Sequence, residues 1–141
     1  MIASLRWREQ AQISILRAMP IMIRMEEGIL IADFHGALSS ADLLDGARRV
    51  GAIEDREAIT CPRIVDLSRL ESLHIDFVVM YEFAKIRSES KLKNAAKSAI
   101  VAPSQVQYGF ARMYQSLNQN ALLEVQVFRA MELALKWIRS S

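Results

Sequence analysis

The chain has 141 residues, of which 52% are hydrophobic, 24% charged and 7% aromatic, the balance of an ordinary globular domain. At this length roughly two-thirds of the unfolded surface can be buried, so a core forms without disulfides or structural metal. The formal net charge of +2, near −1 over the first seventy residues and near +3 over the rest, leaves no phosphate-binding footprint, and nucleic acid is not an expected partner.

The first nineteen residues stand apart. Arg6, Arg8, Glu9 and Arg17 break up their apolar positions, so they lack the uninterrupted run of a secretory signal. No stretch of the chain approaches the ~18 apolar residues of a transmembrane helix, and a cytoplasmic location is expected. Wound as a helix, Ile2, Leu5, Ile13 and Leu16 share a face, but Glu9 lies on it. Residues 1–19 therefore read as a leader: disordered and loosely packed, lying on a membrane surface, or added by a start codon placed too early. Residues 20–141 read as one domain.

From Pro20 onward short apolar runs alternate with helical patterns. Ile21–Met25 and Gly28–Phe34 flank Glu26-Glu27-Gly28 and predict a hairpin; Gly36 is expected to end the second strand. Ser39 and Asp42 form a capping box that starts a helix with Leu43, Leu44, Ala47 and Val50 on its buried stripe. Arg63–Ser68 is apolar enough for a central strand, and a helix over about Ile75–Lys93 follows. Ser98–Ala102 is a buried strand closed by Pro103. Ser104 and Gln107 cap a further helix, with Val106, Phe110, Met113 and Leu117 on one face; Gly109 inside it suggests a close neighbour. Leu123–Phe128 alternates with period two, and Met131, Ala134, Leu135 and Ile138 give a terminal helix. The order ββαβαβαβα predicts an α/β fold with a mixed, largely parallel sheet of four to five strands and helices packed on it.

In such a sheet ligands gather beyond the carboxyl ends of the strands, which brings Asp33, His35, Asp66, Ser68 and Ser104 into consideration. None forms a recognisable catalytic constellation. Ser68 lies in Asp-Leu-Ser-Arg rather than a nucleophile elbow, and neither a dinucleotide fingerprint nor a phosphate-binding loop is present. The single cysteine, Cys61, has no Cys or His at ligand spacing. No catalytic residue, metal or cofactor is expected. Asp33 and Asp66 read as carboxylates accepting loop amides, His35 as a turn residue, and Asp76 as a helix-start acid favoured by the dipole.

The helix from Ile75 is apolar nearly all round. Ile75, Val78, Val79, Phe83 and Ile86 are expected to face the sheet, leaving Phe77, Met80, Tyr81 and Ala84 on the opposite side. A second apolar face marks an association surface, the wall of an apolar pocket, or burial under another segment.

The element order, Val65-Asp66-Leu67-Ser68 leading into a helix, and the segment from Ala99-Ile100-Val101-Ala102-Pro103-Ser104 to Tyr108-Gly109-Phe110-Ala111-Arg112-Met113 resemble the STAS domain, the anti-sigma-factor-antagonist fold. The likeness spans about Ile21 to Ile138 and is nearest to the stand-alone bacterial branch, grouped by fold with CRAL-TRIO lipid-transfer domains. It implies a non-enzymatic regulatory module that binds a protein partner through the loop and helix after the central strand. In phosphorylated members Asp-Ser-Ser-Gly opens that helix; here His74 and Ile75 stand where the Asp and the acceptor Ser would align. Ser68 and Ser72 are nearby hydroxyls outside the motif position, so whether any serine is phosphorylated stays open. The expected partner- or ligand-binding residues are Phe77, Met80, Tyr81, Ala84, His74 and Ser68. Two occupants fit them: a protein partner, including a second copy of the chain, or an apolar, lipid-like small molecule.

Overall fold

The computed structural model describes residues 20–140; the expected leader lies outside the described residues. Five strands, β1 (Ile21–Glu26), β2 (Ile29–Ser39), β3 (Arg63–His74), β4 (Ala96–Val101) and β5 (Leu123–Phe128), form one sheet in that spatial order. β1 runs antiparallel to β2, and every other neighbouring pair is parallel. Among the described residues there are four helices: α1 (Ser40–Arg56), α2 (Phe77–Ser88), α3 (Gln105–Leu117) and α4 (Met131–Ile138). The expected α/β class and mixed, largely parallel sheet are what the structure shows.

The β1–β2 hairpin closes with two residues, Glu27 and Gly28, at φ +51° and +78°. Positive φ at both central positions gives the twist that paired strands need. Both capping boxes form, Ser39 with Asp42 and Ser104 with Gln107. They satisfy amide groups that the first turn of each helix leaves free.

Three local expectations are corrected. β2 continues past Gly36, which sits at φ +64° beside a register shift instead of ending the strand, so β2 and β3 stay paired as far as Ser39 and His74. The bulged ladder carries the polar stretch after Ser68 that reads as loop in the sequence. The next helix accordingly begins at Phe77 and ends at Ser88 instead of spanning Ile75–Lys93. Gly109 has no close neighbour, since a Cβ built there meets no heavy atom within 4 Å; the crowded glycine is Gly46, where that Cβ would lie 2.6 Å from Ile21 Cδ1.

Strand alternation sorts the core into two layers. Ala32, Phe34, Leu67 and Ile100 point to one face and pack with Leu43 of α1, Met80 and Ala84 of α2, and Ala111 and Tyr114 of α3. Ile29, Ile31, Ile64, Ala99 and Val101 point to the other face and meet Ala134 and Ile138 of α4. At the amino ends of the parallel strands, the loop before β3 is tied to the loop before β4. Thr60 N–H donates to Asn94 Oδ1 at 2.9 Å, and Asn94 Nδ2 donates to Thr60 O at 3.0 Å.

A charged group is buried within the first layer. Glu54 of α1, Arg63 of β3 and Arg87 of α2 are each 4% exposed. Arg87 Nη1 and Nη2 donate to Glu54 Oε1 and Oε2 at 2.8 and 2.7 Å, a bidentate fork, and Arg63 Nη1 donates to Oε2 as well. Burial alone would raise the Glu54 pKa, but the hydrogen bonds and charges of Arg87 and Arg63 prevail and hold it below its ordinary 4.5. As pH falls, the unfolded chain therefore takes up this proton first. The stabilisation from Glu54 is complete above pH 4.5 and is lost progressively below it.

Glu54→Gln leaves two buried guanidiniums without their counterion and should cost about 3–5 kcal/mol in urea unfolding at neutral pH. Across the acid range below pH 4.5 its stability should fall less steeply than that of the parent. Glu27→Asn places a residue tolerant of positive φ in the hairpin turn and should add about 0.5–1 kcal/mol in the same assay.

Candidate functional site

α2 follows β3 through a single short step. Asp76 caps it, its Oδ1 accepting from Val79 N at 3.0 Å. A capping carboxylate at this end is stabilised by the orphan amides and the helix dipole, which accounts for Asp76 without a chemical role.

Of the residues expected on the free face of α2, only some are there. Phe77 and Tyr81 are 60% and 54% exposed, and Val78, expected to face the sheet, is 63% exposed. Met80 and Ala84, expected outside, lie in the core at 1% each. Met80, Ala84 and Arg87 form the stripe that turns inward, at helical spacing of four and three residues. A helix that is apolar on nearly every side offers several such stripes of similar hydrophobicity. The ion pair of Arg87 with Glu54 is compatible with only one of them.

α3 supplies the other wall. Val106 and Met113 are 70% and 40% exposed. Between the two helices, beyond the carboxyl end of β3, lies a groove of about 220 Å³ lined by Leu73, Ile75, Phe77, Val106, Phe110 and Met113, with Met80 at its floor and Asp76 at its edge. Phe77 lines the groove, and its ring lies 6.5 Å from that of Tyr81, which is exposed on the next turn of α2 outside the lining. α3 is anchored to the sheet here by Gln107, whose Nε2 donates to Leu70 O at 3.3 Å. The groove is thus a concavity lined mainly by apolar side chains.

His74 and Ser68, also named as binding residues, are exposed on β3 but outside the groove lining. Asp33 and Asp66 sit within the paired strands, opposite one another in register. Asp33 is ion-paired with Arg24 and lies 3.9 Å from Arg69; Asp66 Oδ1 accepts from Ser68 N at 2.9 Å. Asp33 thus meets arginine side chains instead of the expected loop amide, and Asp66 accepts a main-chain amide of its own strand. Among the described residues, no group of three His, Cys, Asp or Glu side chains is arranged to hold a metal ion.

Val106 and Met113 belong to the groove although sequence reasoning assigned them only to a helix face. The signal was available: the face carrying Val106, Phe110, Met113 and Leu117 is longer than one sheet contact can cover. Glu54 also had a signature, since it continues the buried stripe of Leu43, Ala47 and Val50 at i+11, i+7 and i+4. A charge on an apolar stripe implies a buried counter-charge.

No family model and no curated protein sequence matches the chain. Solved structures do. An uncharacterized protein of the DUF3478 family with a SpoIIAA-like fold from Shewanella loihica PV-4 superposes with a TM-score of 0.55 at 16% identity, over 84% of this chain and 91% of that one. An anti-sigma factor antagonist from Mycobacterium paratuberculosis gives 0.55 at 13% identity over 85% and 93%. The anti-sigma factor antagonist SpoIIAA in its unphosphorylated form gives 0.52 at 13% identity over 86% and 99%. The chain therefore has the SpoIIAA-like, or STAS-like, fold.

Proposed function

We propose that this chain is a non-enzymatic regulatory module that binds a protein partner through the groove between α2 and α3. The single observation that carries this reading is the exposure of Phe77, Val78, Tyr81, Val106 and Met113 on two adjacent helices. Exposed apolar side chains gathered around a concavity mark an interaction site, and aromatic and methionine side chains are the types enriched in interface cores. Two solved structures of this fold are anti-sigma factor antagonists, a role that fits recognition of a protein surface. His74 and Ile75 put no hydroxyl at the motif position before α2, which favours constitutive recognition at this groove.

A lipid-sized ligand is the poorer fit, because the 220 Å³ groove falls below the ~300 Å³ at which pockets for drug-sized molecules begin. No helix among the described residues is long and apolar enough to cross a membrane.

Phe77→Asp combined with Tyr81→Asp places charge on the rim while leaving the core side chains untouched. Thermal stability should change little, whereas affinity for the partner or for a second copy should fall at least about tenfold per lost anchor, the weight of an interface hot spot. Native mass spectrometry and pull-down on the parent and the folded double variant test this. Unchanged association in both measurements overturns the reading.

A further inference from the structure

A second cavity, of about 70 Å³, lies between the sheet and the helix layer and shares one lining residue, Phe110, with the groove. Most of its wall is aliphatic or aromatic, including Leu43, Ala47, Phe83 and Ala111, but Arg63, Arg87, Ser98 and Tyr114 also line it, and Glu54 does not. The cavity thus touches both cations of the buried triad and not their counterion.

The charges around it do not balance. Two guanidiniums share one carboxylate, so the triad, buried in all three of its side chains, retains one positive charge. Other acceptors relieve part of this: Cys61 O accepts from Arg63 Nη2 at 3.2 Å, and Ser90 Oγ accepts from Arg87 Nη1 at 3.1 Å. The carbonyl ends of α1 and α2 contribute partial negative charge. Lys93 works the other way, adding a cation whose Nζ donates to Glu54 O at 2.9 Å. Tyr114 supplies no compensating charge, since burial pushes its phenol up and keeps it neutral. Among the described residues, nothing accepts from the buried Arg63 Nε. An unmatched buried donor on a residual positive charge is costly.

We propose that this cavity is a binding site for a short-chain aliphatic monocarboxylate, its carboxylate accepting from Arg63 and its alkyl chain lying among Leu43, Ala47, Phe83 and Ala111. One negative charge matches the one left over. The lining selects an alkyl group over a hydrated inorganic anion. The volume, about half of the ~150 Å³ cavity that accommodates benzene, limits the ligand to a few heavy atoms, on the scale of acetate to butyrate. This site meets the groove between α2 and α3 at Phe110 alone, and its occupancy is measured without the protein partner.

The test is titration of the purified chain with carboxyl-¹³C propionate by NMR and by thermal unfolding. Propionamide serves as the uncharged isostere and sodium chloride as the ionic-strength control. Propionate should bind saturably and raise Tm by about 3 °C at concentrations well above its Kd, with propionamide and chloride at least tenfold weaker. Arg63→Met removes the surplus charge while leaving Glu54 forked to Arg87, and should weaken propionate at least tenfold. Ala111→Leu fills the cavity with all charges kept, and should abolish binding. Absence of saturable propionate binding, equal binding of propionamide, or undiminished binding by folded Arg63→Met would each overturn the assignment. The comparison of acid with amide on the parent chain decides the matter even where a variant fails to fold.

Discussion

Three successive parallel connections in a sheet whose spatial order follows its chain order constrain nearly everything else in this molecule. Each β-helix-β unit crosses over with the same hand, and because the strands are added in one direction, α1, α2 and α3 all settle on one face. The three helices must then lie side by side, and the spaces between them and beneath them are consequences. The groove is where α2 and α3 diverge beyond the carboxyl end of β3. The interior cavity is where α1 and its neighbours fail to fill the layer against the sheet. Among the described residues α4, following the last strand, is the helix that covers the opposite face.

The buried triad belongs to the same constraint. Its members come from α1, β3 and α2, three elements brought together only by the first two crossovers. A buried ion pair is weak support for stability relative to an apolar replacement, although breaking one is costly. What Glu54 does here is more specific: it requires Arg87 to point inward and so sets the rotation of α2 about its own axis. With that rotation chosen, Met80 and Ala84 enter the core and Phe77, Val78 and Tyr81 are presented outward. The same network therefore determines which side chains α2 presents outward, Phe77 into the groove and Val78 and Tyr81 beside it, and places two cations against the interior cavity.

The fold separates the two sites. The groove opens on the surface between helices and offers breadth, aromatic rings and a methionine, which suit the surface of another protein. The cavity is small, lies against the sheet and is electrostatically biased. Of the strand carboxylates, the conspicuous polar residues of the sequence, Asp33 of β2 pairs with Arg24 of the neighbouring β1, and Asp66 accepts from the Ser68 amide of its own strand.

Local patterns were enough to read the elements. The period of two in Leu123–Phe128, the capping boxes at Ser39 and Ser104 and the two-residue turn before Ile29 depend only on residues a few positions apart, and each determines its own backbone. The sequence by itself thus determined the order of strands and helices, and with the handedness of crossovers the class of fold. It left two things open, for different reasons. The extension of β2 and β3 through Ser39 and His74 depends on bulges, where a shift in pairing lets polar residues remain in the ladder. The inward stripe of α2 was undecidable locally because its apolar residues surround the axis, so hydrophobicity does not distinguish one rotation from another. Only the tertiary structure decided it, through a carboxylate thirty-three residues away on another helix, since a buried charge must meet its partner wherever the chain has placed it.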